Sequence, residues 1–157
     1  MPQVVSSDRS VVEAVARALT FDAFQVIAIG GNTLAGKTTL ARKLAKTLNI
    51  SCFHLDDFIN ANPGIDLPRV KQVIDESRCA NRPILIEGAG VRRTLFEVGV
   101  KQDLLIHLSD RRRNNIQVTD DFYSNSTVRV PINKLIGYYD DQTSSTEEAD
   151  ILVVESE

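Results

Sequence analysis

The chain has little cysteine, no long apolar run and no excess of either charge. Its two cysteines, Cys52 and Cys79, stand without metal-ligand spacing. Cys52 lies in an apolar stretch and reads as a buried thiol, and so sparse a complement fits a reducing, cytoplasmic compartment. No apolar run approaches the roughly 20 residues of a membrane helix. The N-terminal MPQVVSSDRS lacks the basic start and apolar core of a secretory signal. A net charge of −3 gives no global sign of nucleic acid or an acidic membrane as partner. There are no repeats, no low-complexity tract and no dividing linker. The 157 residues therefore read as one domain, long enough for a core and ordinary in composition, with 25% charged and 43% hydrophobic residues.

What is present is a pattern of alternating strands and helices. Val11, Val12, Val15, Ala16 and Leu19 recur at helical spacing, predicting an amphipathic helix near 7–19 with Ser6, Ser7 or Asp8 as its cap. Leu40, Ala41, Leu44, Ala45 and Leu48 predict a second helix ending near Asn49. A third starts at Asp66, with Pro68 in its first turn. Strands are predicted near 25–30, 51–55, 84–86, 104–108 and 151–154. Most are continuous apolar runs rather than alternating ones. Strands buried on both faces read this way, which predicts an α/β fold with a parallel sheet between helical layers. Residues 109–147 have a basic start, a polar middle and a weak helical pattern around 131–141.

The first strand runs into GNTLAGKT, which fits G-x-x-x-x-G-K-[ST] from Gly31 to Thr38 and is followed by a helix. Gly31 and Gly36 permit turns that a side chain would block. The N–H groups of such a loop converge on phosphate oxygens at a helix N-terminus. Gly31, Asn32, Thr33, Leu34, Ala35, Gly36, Lys37, Thr38 and Thr39 are thus the expected binding set for ATP. Lys37 supplies a positive charge for the β- and γ-phosphates, and the Thr38 hydroxyl a ligand for Mg²⁺. A guanine-specific switch would carry N-K-x-D, but Asn133-Lys134 is followed by Leu135-Ile136. The chain also lacks the LSGGQ-like element of transport ATPases.

Ligands of parallel sheets bind beyond the carboxyl ends of the strands. Asp56 and Asp57 stand at one such end, in HLDDF, and Glu87 at another, in ILIEGAG. One carboxylate can bind Mg²⁺ and another can accept the proton of an attacking hydroxyl. Asp is also common in turns and caps, and a strand-end Glu can simply face water. Arg111, Arg112 and Arg113 follow the fourth strand, and Arg129 lies further on. Arginines that close over a γ-phosphate stabilise phosphoryl transfer, although helical neighbours diverge by about 100°, so only one or two of the three can face one site. His54 and His107 fall within strands and read as structural.

In order along the chain, VIAIGGNTLAGKTTLARKLA, HLDDF, RPILIEGAG, DRRRNN and EEADILVV resemble the uridine kinase-like group of P-loop kinases, which includes nucleoside and nicotinamide riboside kinases. The resemblance runs from about residue 25 to the end. It implies a P-loop NTPase three-layer αβα sandwich with a five-stranded parallel sheet in order 2-3-1-4-5. It also implies ATP and Mg²⁺ as cofactors and a small-molecule hydroxyl as acceptor. It makes Asp56 the base, Glu87 an aid to Mg²⁺ beside Thr38, and Arg111 and Arg113 phosphate contacts of a lid at about 110–130. Asp56, Lys37, Arg111 and Arg113 are then the catalytic set. Nucleoside-phosphorylating members usually carry a longer insert between the positions of Asp56 and Glu87 than this chain does.

Overall fold

The computed structural model describes residues 3–5, 7–20, 22–31, 36–59, 64–109 and 149–154. The expected lid, with Arg111, Arg112, Arg113 and Arg129, lies outside these residues, as do loop residues Asn32–Ala35 and the weak helical pattern at 131–141.

In chain order the elements are β1 (Gln3–Val5), α1 (Asp8–Ala18), β2 (Val26–Gly31), α2 (Lys37–Leu48), β3 (Ser51–His54), a 3₁₀ turn (Leu55–Phe58), α3 (Leu67–Cys79), β4 (Ile84–Glu87), α4 (Val91–Glu97), β5 (Leu104–Ser109) and β6 (Ile151–Val154). The sheet order is β1-β6-β5-β2-β4-β3, and every neighbouring pair is parallel. The five strands expected from sequence therefore stand in the order 2-3-1-4-5. A sixth, β1, extends the sheet beside β6. This strand is not legible in the sequence, because three residues, QVV, carry too little periodicity to be recognised as a strand.

Both sheet faces are covered, which is why the strands are continuously apolar. Ile27, Ile29, Leu85 and Ile106 pack with Val11 and Val15 of α1 and Leu40 and Leu44 of α2. Val26, Ala28, Ile86 and Leu105 pack on the other face with Val70 and Ile74 of α3 and Val91 and Leu95 of α4. Each fully buried Ile or Leu contributes about 1.5–3 kcal/mol. Ser7 caps α1 by accepting from the Ser10 N–H, and Asp66 caps α3 by accepting from the Arg69 N–H.

The amino-terminal edge of the sheet is fastened by two aspartates. Asp103 donates its N–H to the Val26 carbonyl (2.8 Å) and accepts the Val26 N–H on Oδ2 (2.7 Å). Asp150 repeats the arrangement on Leu105, at 2.9 and 2.7 Å. Each pair fixes where one strand starts against the next. The opposite edge, where the strands end, is thereby left to the loops.

Candidate functional site

Strands β2, β4 and β3 lie side by side with Ile29, Glu87 and His54 in register, so the segments that follow them leave from one edge. Gly31 ends β2 at φ 141°, and a Cβ there would meet the Leu108 carbonyl oxygen at 2.5 Å. The loop can leave β2 this close to β5 only without a side chain. Gly31→Ala is expected to cost about 3 kcal/mol or more, from backbone strain plus the clash. Denaturant unfolding measures this, and a loss below about 1 kcal/mol would contradict the tight passage.

Gly36, in the left-handed conformation, opens α2 with no side-chain cap and no acidic residue in the first turn. This helix start, unlike those of α1 and α3, has no side-chain cap among the described residues, a character that suits it to an anion. Lys37 is 9% exposed, and its Nζ donates to the Gly31 carbonyl at 3.0 Å. The ammonium thus ties the two ends of the loop together at its mouth. Thr38 and Thr39 are exposed on the same first turn.

Thr38 Oγ1 donates to Oε1 of Glu87 at 2.9 Å, and His54 Nδ1 meets the same oxygen at 2.5 Å. This joins the first turn of α2 to the ends of β4 and β3. Glu87 is only 3% exposed, so these donors offset the cost of burying its carboxylate. Gly88 then passes so close to the 3₁₀ turn that a Cβ would lie 2.7 Å from Cβ of Leu55. Phe58 anchors the same turn from beneath, against Phe53 and under the Arg69 guanidinium, which lies 5.1 Å from the ring centroid. Asp56 and Asp57 are exposed on that turn, at the edge where Thr38 and Glu87 meet.

Sequence-predicted Thr38 and Glu87 are thus in contact, and Lys37 closes the loop that precedes them. Asp56 stands at the same edge but apart from that hydrogen-bonded set among the described residues. His54 was missed as a site residue. It opens the HLDDF segment and reads from sequence as a structural strand residue; only the strand register places it on Glu87.

The donor set suits Mg²⁺. The ion prefers oxygen ligands, keeps several waters and is commonly held by one or two carboxylates plus substrate phosphates. Thr38 and Glu87 supply a hydroxyl and a carboxylate. No group of three or more His, Cys, Asp or Glu residues that could hold a metal ion by themselves occurs among the described residues. The Glu87 charge also reaches Cys52 on the same face. Burial first, and then Glu87, push the Cys52 thiol up to about 11, against a smaller opposing pull from Arg42. Cys52 is therefore a neutral packing residue at physiological pH and not a nucleophile. No helix among the described residues is long and apolar enough to cross a membrane.

A glycine-turned loop between a central parallel strand and an uncapped helix, with a strand-end carboxylate on the helix's first threonine, defines a P-loop fold. No family model and no curated protein matches the chain. Solved structures do match over most of its length. A possible uridine kinase from Bacillus stearothermophilus aligns with a TM-score of 0.62 at 16% identity, covering 93% of this chain and 96% of that one. A sugar kinase from Janibacter sp. aligns with a TM-score of 0.52 at 16% identity, covering 83% and 85%. Shikimate kinase from Acinetobacter baumannii, in complex with shikimate, aligns with a TM-score of 0.51 at 19% identity, covering 87% and 86%. The likeness is one of fold: these neighbours are P-loop kinases, and this chain shares their architecture.

Proposed function

We propose that the chain is a single-domain, ATP- and Mg²⁺-dependent small-molecule kinase that transfers the γ-phosphoryl group to a hydroxyl. The observation that carries this reading is the 2.9 Å contact between Thr38 and Glu87 at the open N-terminus of α2. It puts a hydroxyl and a carboxylate beside an anion-binding helix start. A nucleoside or nucleoside-like acceptor follows from the resemblance to the uridine kinase group. The kinase names of the neighbouring structures support the wider class of hydroxyl acceptors. The cytoplasm is the fitting compartment for a reaction that consumes ATP.

In this scheme the amides of residues 31–38 and the Lys37 ammonium hold the β- and γ-phosphates. Mg²⁺ would be held by Thr38 and Glu87 and would neutralise phosphate charge. The acceptor oxygen bonds to the γ-phosphorus as the bridging bond to the β-phosphate breaks and ADP leaves. Asp56 takes the hydroxyl proton. Arg111 and Arg113 are proposed to offset charge on the transferred group and to exclude water.

The segment between the 3₁₀ turn and α3 is short, and an antiparallel bridge joins Ile59 to Ile65 within it. That brevity favours a second reading, a nucleotide-binding regulatory or partner-binding protein with little catalysis. One experiment separates the two: ADP release from Mg·ATP across a panel of hydroxyl metabolites, with Lys37→Ala as the blank. The kinase reading expects at least one acceptor to raise ADP release clearly above the blank. ATP binding by calorimetry with no acceptor-dependent release across the panel would support the second reading.

A further inference from the structure

We infer that His54 is a positioning residue for Glu87, holding its carboxylate against Thr38 and so setting how tightly the divalent cation binds. The inference deepens the kinase reading above and rests on it. His54 and Glu87 are paired in register where β3 and β4 end, and their side chains meet at 2.5 Å. An ionised carboxylate only accepts hydrogen bonds, so Nδ1 carries the proton and donates. The same Oε1 accepts from Thr38 at 2.9 Å.

Two donors from different elements therefore fill one oxygen of a nearly buried carboxylate. A glutamate side chain has three rotatable bonds, and a single hydrogen bond leaves it room to swing. Two bonds converging on one oxygen remove that room and leave the other oxygen outside this pair of contacts. They also fix Thr38: because its hydroxyl proton points at Glu87, its lone pairs point away, where a cation can use them. Partners of this kind, one bond removed from a metal ligand, commonly control metal affinity about 10- to 100-fold.

His54 also leads directly into Leu55 and Asp56. Leu55 packs over Gly88, the residue after Glu87. The imidazole and that packing contact therefore tie the strand end carrying the metal-binding carboxylate to the turn carrying the proposed base. A packing role alone would need only the volume of the ring, whereas a positioning role needs the Nδ1 donor.

The test is calorimetric ATP binding to the full chain, with and without Mg²⁺. His54→Phe keeps the ring volume and removes the donor. It is expected to reduce the Mg²⁺-dependent tightening of ATP binding roughly tenfold while leaving metal-free affinity unchanged. The Mg²⁺ concentration for half-maximal turnover should rise by a similar factor. His54→Asn, whose amide nitrogen occupies nearly the place of Nδ1, should restore most of the tightening. If the Phe variant does not fold, His54→Ala carries the same comparison. Wild-type Mg²⁺ dependence in the donor-less variant overturns the inference and leaves the kinase reading standing. So does an Asn variant as defective as the Phe variant, because that marks a packing role. A wild-type chain that binds no nucleotide overturns both.

Discussion

Lys37→Ala should lower acceptor-dependent ADP release by about 10²–10³-fold, the usual cost of removing one preorganised charge or donor from a transferred group. The residue is nearly buried, and its ammonium is already committed to the loop through the Gly31 carbonyl. Its charge therefore acts where water screens it little, and little reorganisation is needed when phosphate arrives. Alanine removes both the charge and the tie across the loop, so ATP binding should weaken as well. Lys37→Arg should rescue poorly, because a planar fork cannot replace a compact ammonium in that space. Steady-state kinetics with the true acceptor provide the measurement. An alanine variant within tenfold of wild type would mean that the Gly31–Thr38 loop does not hold the transferred group.

Asp56→Asn should separate binding from turnover. Asp56 is exposed on the 3₁₀ turn and is not one of the residues whose hydrogen bonds join Thr38, Glu87 and His54. ATP affinity should therefore stay unchanged, while turnover falls about 10²–10⁴-fold through loss of the proton acceptor. Asp57→Asn is the internal control. It alters the next position on the same turn and should change turnover far less. Near-normal turnover in Asp56→Asn, or equal losses in the two variants, would remove Asp56 from the role of base.

Much of this arrangement was legible in the amino-acid order, for identifiable reasons. A sheet covered on both faces produces uninterrupted apolar runs, so β2, β4, β5 and β6 announced themselves, and their order followed from the resemblance. The helices α1, α2 and α3 were marked by their buried stripes and by Ser7, Asn49 and Asp66 at their ends. Two elements escaped for lack of length. The edge strand β1 has three residues, and α4 has seven, whose short buried pattern (Val91, Thr94 and Leu95) is broken by two arginines. β3 was expected to reach Leu55, but the chain turns there so that Leu55 can seat against Gly88. Lys37, Thr38 and Glu87 could be found because their motifs are local. The meeting of His54 with Glu87 could not, because it depends on which residues of two strands, 33 positions apart, stand opposite one another.

The paired aspartates on the far side of the sheet bear on how the chain acquires its shape. Asp103 reaches a residue 77 positions away and Asp150 one 45 positions away, so neither fastening forms until a long stretch of polypeptide has closed on itself. Closures of that span make folding slow for a domain of this size. They also mean that during synthesis β5 lacks its outer neighbour until residues 151–154 have been made, so the sheet cannot be completed from the strands that precede β6.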